Sequence, residues 1–205
     1  MNPFTNHYYI NLEERKDRNE NAIHELSKLG IKPNRFEAIK TPQGIVGCCL
    51  SHIKVILDAK KRGLEYVCIF EDDLIIINPQ LLTKKVNKIL NDQDKQWDVL
   101  LLGGNNFKPF VEYDDYVKVN RCFTTTAYII RAHYYDKYLN NLHEGLKLLL
   151  QTKNRDYSLD SHNHILQRED TWLLITPILV YQKEGYSDIE KRNVNYKNLM
   201  LNYEK

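Results

Sequence analysis

The chain has 205 residues, with 29 Lys and Arg against 27 Asp and Glu, for a formal net charge of +2 at pH 7. That length suits one domain with its own core, and so even a charge balance argues against a nucleic-acid binder that works by neutralising phosphates. Hydrophobic residues make up 42%, too many for a disordered chain and too few for a membrane protein. No apolar run is long enough to span a bilayer and the N-terminus lacks the basic and apolar regions of a signal peptide, so a cytoplasmic protein is expected. The four cysteines, Cys48, Cys49, Cys68 and Cys122, show no C-x-x-C spacing. Neither a zinc site nor a disulfide framework is expected from them.

Residues 7–12 read as a first strand that leaves the core at Glu13. Ala22, Ile23, Leu26 and Leu29 then share one helical face, and Gly30 is a natural stop. A short strand is expected over residues 35–39, followed by a loop with Pro42 and Gly44. A second helix from about Gly47 carries the stripe Cys49, Leu50, Ile53, Ile56 and Leu57, closed by Gly63. Residues 66–70 form an apolar strand. Asn78-Pro79 places a capping residue and a first-turn proline at the head of a third helix, continued by Leu81, Leu82, Val86, Ile89 and Leu90. Residues 98–102 read as a buried strand that ends at Gly103-Gly104. Further strands are expected at 116–119, 126–130, 172–175 and 178–181, with a helix from about Ala132. Alternation of this kind means an α/β fold, a mostly parallel sheet flanked by helices, over residues 1–188 as a single domain. Residues 189–205 form a charged, Asn-rich tail.

The strand at 66–70 ends abruptly in Glu71-Asp72-Asp73. Along an extended backbone Glu71 and Asp73 share a face while Asp72 points the other way. Two carboxylates so close raise each other's cost of ionisation unless a cation lies between them. Hard ions such as Mn2+ or Mg2+ favour such oxygen ligands; a solvated acidic turn is the plainer reading. In parallel sheets ligands bind at the carboxyl ends of strands, where Asn11, the three acids and Gly103-Gly104 are expected to meet. No G-x-G-x-x-G and no P-loop sequence is present, so neither a dinucleotide fold nor a P-loop is supported.

Three ordered blocks carry a family signal. They are Ile10-Asn11-Leu12 followed by Arg15, Asp17 and Arg18; Gly47-Cys48-Cys49-Leu50-Ser51-His52; and Phe70-Glu71-Asp72-Asp73. In wording, order and spacing they resemble glycosyltransferase family 25, which holds bacterial lipooligosaccharide hexosyltransferases and collagen-type galactosyltransferases, with relatives in giant viruses. Leu101-Leu102-Gly103, residues 126–130 and Gln182 through Ser187-Asp188-Ile189 are similar to further family blocks. The resemblance implies a GT-A fold of mixed, mostly parallel sheet, a UDP-hexose donor (glucose or galactose), Mn2+ or Mg2+, and an acceptor hydroxyl on a glycan or hydroxylated protein. Glu71, Asp72 and Asp73 would be this chain's version of the D-x-D signature, with Asp73 the direct metal ligand and Glu71 supporting it. Asn11, Leu12, Arg15, Arg18, Asp72 and Gly103 would contact the donor. Arginine suits that task because its fork donates two parallel hydrogen bonds to a diphosphate.

Ser51 and His52 are neighbours on a helix, so their side chains diverge and cannot act as nucleophile and base. The resemblance instead has Gly47, Ser51 and His52 line the donor pocket near a helix start; the alternative is a satisfied core histidine and a cap. Family members invert configuration, which asks for a carboxylate base. Asp160 is the candidate, with Asp156 and Asp170 as rivals. Gln182 and Asp188 compete for the second metal-ligand position. Two further readings stay open: a non-catalytic nucleotide-sugar or carbohydrate-binding module on the same scaffold, and a nucleotidyltransferase. The sequence leaves the oligomeric state open, a homodimer included.

Overall fold

The computed structural model describes residues 2–92 and 96–205. Strand β1 (His7–Asn11) is buried at every position, and helix α1 (Lys16–Ser27) packs Ala22 and Leu26 inward. Ile23, expected on that face, is 43% exposed; its neighbour Glu25 turns in instead and accepts the Ile76 amide at 2.8 Å. After β2 (Arg35–Glu37), helix α2 (Gly44–Lys61) starts a turn earlier than expected. Its inward stripe is Val46, Cys49, Ile53, Ile56 and Ala59, while Leu57 faces out.

Strand β3 (Tyr66–Glu71) turns at Asp72-Asp73 into β4 (Leu74–Ile76). Helix α3 (Pro79–Asn91) begins as its sequence dictates, the Asn78 side chain accepting the Leu81 amide at 2.9 Å. Strand β5 (Val99–Asn106) does not stop at Gly103-Gly104 but runs through them. Next come β6 (Phe110–Glu112), β7 (Tyr116–Val119) and β8 (Cys122–Arg131). A 3-10 turn at Ala132–Tyr134 leads into α4 (Tyr135–Thr152). Helices α5 (Leu159–His162) and α6 (His164–Glu169) precede β9 (Trp172–Ile175). The chain closes with β10 (Val180–Gln182), β11 (Gly185–Ser187), β12 (Arg192–Val194) and α7 (Lys197–Leu201).

Eight strands form the main sheet in the order β2-β1-β3-β8-β5-β9-β7-β6. Following the pairings along that order, six strands run one way and only β8 and β7 oppose them. This is the mixed, mostly parallel α/β sheet of a GT-A-like fold. Its central strands carry the apolar runs 67–70, 99–102 and 127–130, because both faces of the sheet are covered there. Val67, Ile69, Val99 and Leu101 lie under α2 and α4. Cys68, Phe70, Leu100 and Leu102 lie under α1 and α3. Glu71 continues the Val67–Ile69 series, which brings it out beneath α2.

Gly103 sits in mid-strand, where a Cβ would run into the carbonyl oxygen of Val180 on β10. The residue permits close approach of β10, which pairs with β4 outside the main sheet, and it is not at a strand end facing a ligand. Gly103→Ala is expected to cost roughly 1–3 kcal/mol through overpacking, read as a lowered urea midpoint with an unchanged slope.

Residues 189–205 pack against the rest of the fold. β11 and β12 pair across the 188/189 boundary expected from composition, Met200 is fully buried, and the Asn106 amide donates to the Tyr203 carbonyl at 3.0 Å. Among the described residues no helix is long and apolar enough to cross a membrane.

Candidate functional site

The turn after β3 is pinned by three hydrogen bonds from two other segments, α1 and the residue after β10. Asn21 Nδ2 donates to the carbonyls of Asp72 and Leu74 at 3.2 and 2.9 Å, and the Lys183 amide donates to the Asp73 carbonyl at 2.7 Å. Each carboxylate then meets different company. Glu71 Oε1 accepts from Thr125 Oγ1 at 2.6 Å and lies 3.6 Å from His52 Nε2. Its Oε2 accepts from Gln182 Nε2 at 3.2 Å. Asp72 takes Asn11 Nδ2 at 2.8 Å and Arg18 Nη1 at 3.0 Å. Asp73 Oδ2 is 3.0 Å from the same Arg18 nitrogen, while its Oδ1 is buried with no hydrogen-bond partner.

These surroundings separate the acids electrostatically. Burial works against ionising Glu71, but His52, Thr125 and Gln182 outweigh it and hold its carboxyl below the ordinary value. Asp72 is shifted upward, burial prevailing over Arg18 and Asn11. Asp73 is pushed up to about 7 by burial, with Arg18 opposing and the charges of Glu71 and Asp72 adding. One strand end therefore carries an acid that stays ionised beside another that is poised to change charge near neutrality.

A cavity of about 610 Å³ opens over this turn, within the range of small-molecule sites. Leu12, Arg15, Arg18, Gly47, Ser51, His52, Glu71, Asp72, Asp73, Asp160, Gln182 and Asp188 all line it. Asn11 and Gly103 do not. Asn11 lies behind the wall, almost fully buried, and links Asp72 to the Arg15 carbonyl and to Arg35 Nε. Gly47 and Ser51 reach the cavity edge, yet their close contacts are structural. A Cβ on Gly47 would strike the Ile39 carbonyl, and the Ser51 hydroxyl donates to Gly47 O at 2.7 Å while accepting the Ile39 amide at 2.8 Å. Since α2 starts at Gly44, these residues lie in its first and second turns and tie the helix to the segment after β2.

Arg15 is ion-paired with both Asp17 and Asp188, and Arg18 also donates to the Tyr186 carbonyl at 2.9 Å. The two arginines thus join the end of β1 to β11, closing one side of the cleft. Of the competitors for the second metal-ligand position, Gln182 touches Glu71 and Asp188 is held by Arg15.

Among the candidate bases, Asp160 faces the cavity and accepts Ser158 Oγ and the Ser161 amide, both at 2.9 Å, and the Thr124 amide at 3.3 Å. Asp156 is exposed and bound to Asn154, while Asp170 takes Tyr134 and Lys137 away from the cleft. Sequence reasoning missed Thr124 and Thr125, which bind Asp160 and Glu71 from adjacent positions of β8. Thr124 has φ 68°, a conformation that β-branched residues rarely adopt; its only sequence signal was a Thr-Thr-Thr run that reads as plain strand.

The donor set suits a hard divalent ion. Glu71 and Asp73 offer carboxylate oxygens, and the buried, unpartnered Asp73 Oδ1 is an acceptor that such an ion would satisfy. Glu71 and Asp73 would hold it.

A family model for glycosyltransferase family 25, described as an LPS biosynthesis protein, matches residues 42–155, more than half of the chain. The match takes in Gly47 to His52 and Glu71 to Asp73, and leaves Arg15, Arg18, Asp160 and Gln182 outside. No curated protein matches the sequence. Among solved structures, the chain is similar to a glycosyltransferase involved in glycosylation of the major capsid of PBCV-1, at 10% identity over 91% of this chain and 96% of that one, with a TM-score of 0.56. It is similar also to a protein from STIV at 12% identity, over 93% of each chain, with a TM-score of 0.51. At such identities the likeness bears on the fold alone.

Proposed function

The chain belongs to glycosyltransferase family 25, and from that premise we propose that it moves glucose or galactose from a UDP-sugar to a hydroxyl of a glycan or hydroxylated protein, with inversion at the anomeric carbon. The observation that carries this reading is the unpartnered, buried oxygen of Asp73 in a cavity that Asp160 also lines. The bond from the acceptor oxygen to the anomeric carbon forms as the bond to the diphosphate breaks, and Asp160 takes the acceptor proton. Ser158, Ser161 and Thr124 donate to Asp160 and so fix the direction of its carboxylate. Glu71 and Asp73 would hold a divalent cation, whose charge would neutralise that of the departing UDP. Arg15 and Arg18 flank that turn and can share their donors with the diphosphate.

A second reading, a non-catalytic nucleotide-sugar module, is favoured by Arg18, whose guanidinium already spans Asp72 and Asp73 as a resident cation. Calorimetric titration of UDP-glucose and UDP-galactose with and without Mn2+, together with detection of released UDP, separates the two. Transfer predicts binding strengthened about tenfold or more by the ion, a coupling of about 1.4 kcal/mol, and slow UDP release. Binding indifferent to metal and without turnover favours the module, and pyrophosphate release would mean nucleotidyl transfer. Absence of any UDP-sugar binding sinks the proposal.

A further inference from the structure

Cys48 and His52 stand four residues apart on α2, so their side chains leave the same face one turn apart. Glu71 emerges beneath that face at the end of β3. One ligand atom from each of the three, a sulfur, an imidazole nitrogen and a carboxylate oxygen, lies within 4.8 Å of the others.

His52 is completely buried. Its Nδ1 is hydrogen-bonded to the Tyr128 hydroxyl at 2.8 Å, and the Tyr128 ring stacks on the imidazole at 5.7 Å. Nε2 has no hydrogen-bond partner and faces Glu71 Oε1 at 3.6 Å. An imidazole fixed through one nitrogen with the other left over is the usual setting of a metal-ligating histidine. Bonds of about 2.0–2.3 Å at tetrahedral angles set ligand atoms about 3.3–3.7 Å apart; the nitrogen and oxygen already stand at that separation, with the sulfur within 4.8 Å of both.

We propose that Cys48, His52 and Glu71 form a second cation site, for a thiophilic divalent ion of the zinc class, with the fourth coordination position open to the cleft. Sulfur and imidazole ligands select such an ion over Mn2+ or Mg2+, and binding releases the thiol proton to solvent. The missing C-x-x-C spacing hid this site, since its third ligand comes from another element. Glu71 is common to both ion positions, so zinc withdraws it from the donor site and inhibits transfer; that consequence rests on the proposed activity, whereas the binding does not.

Cobalt is the probe. Titrating the reduced chain with Co2+ is expected to give a thiolate-to-cobalt charge-transfer band that saturates at one equivalent and is displaced by Zn2+. Cys48→Ser loses the band and Asp73→Asn keeps it. No band, or a band that survives Cys48→Ser, overturns the site. Should Cys48→Ser fail to fold, the native chain gives a second measurement: one equivalent of Zn2+ slows alkylation of Cys48, mapped by peptide mass, about tenfold, and an unchanged rate overturns the proposal. A band in a chain that binds no UDP-sugar supports the site and counts against the transferase reading alone.

Discussion

Asp73→Asn is expected to abolish metal-stimulated transfer and, in the same protein, to make the metal-free chain more stable at pH 8. Asp73 has its folded-state pKa raised from 3.8 to about 7, chiefly by burial. The sign follows from comparing folded and unfolded chains. Below pH 4 the carboxyl is protonated in both and costs nothing. As the pH climbs from 4 toward 7 the unfolded chain ionises first, so stability falls, and above 7 the whole penalty is present. A shift of about three units corresponds to roughly 4 kcal/mol at most, and relaxation around the charge makes roughly 2–4 kcal/mol the working range. For a chain of this length that is about 5–10 °C in Tm. The asparagine variant should therefore melt higher than the parent at pH 8 and nearly level with it below pH 4. Mn2+ should raise the parent's Tm at pH 8 far more than at pH 5, and the variant's at neither. Activity falls by about 10²–10³-fold with the loss of charge at the departing diphosphate. A variant that melts below the parent at pH 8 would show that the Asp73 carboxylate is not a destabilising charge, and one that retains Mn2+-stimulated turnover would show that Asp73 does not serve the ion.

The same strand end shows what was legible beforehand. Apolar residues ending in three acids marked both the strand and the site, because burial on two faces and abrupt exposure of charge are local events. The Asn78 cap and the Gly30 stop, which has φ 68°, were legible for the same reason. Gly103-Gly104 was misread as a strand end because a glycine that admits a crossing strand looks in sequence like one that makes a turn; the crossing partner, Val180, lies far along the chain. β4 has three residues and finds its partner in β10, also distant. The separate electrostatic setting of each acid was hidden. It depends on Asn11 and Arg18 gripping Asp72, and on Thr125 and Gln182 gripping Glu71, contacts between segments that no period links. Arg15 and Asp188 were each singled out, but their ion pair, which draws the C-terminal strands over the cleft, emerges only once the sheet is assembled.

Asp160→Asn is expected to leave donor binding intact while lowering kcat by about 10²–10⁴-fold, the usual worth of a positioned general base. Asparagine keeps one carbonyl oxygen for the Ser158 hydroxyl and Ser161 amide but cannot receive a proton from an acceptor hydroxyl. Its amide also meets the Thr124 N–H donor-to-donor, where the carboxylate accepts at 3.3 Å. Holding Thr124 at φ 68° costs about 1–3 kcal/mol, and that conformation aims its amide at Asp160 while Thr125 binds Glu71, so β8 sets base and acidic turn in one frame. A base variant should thus raise neither the KM for the UDP-sugar nor its Mn2+ dependence, separating it from Asp73→Asn. Asp156→Asn, on an exposed carboxylate outside the cavity, should keep kcat within about twofold, as surface substitutions usually perturb little. Asp170→Asn should lower Tm through its lost bonds to Tyr134 and Lys137 without a selective fall in kcat. Steady-state kinetics on all three variants decides the matter: if Asp160→Asn turns over at the parental rate and one of its rivals does not, the base lies elsewhere and the acceptor approaches from another side of the cleft.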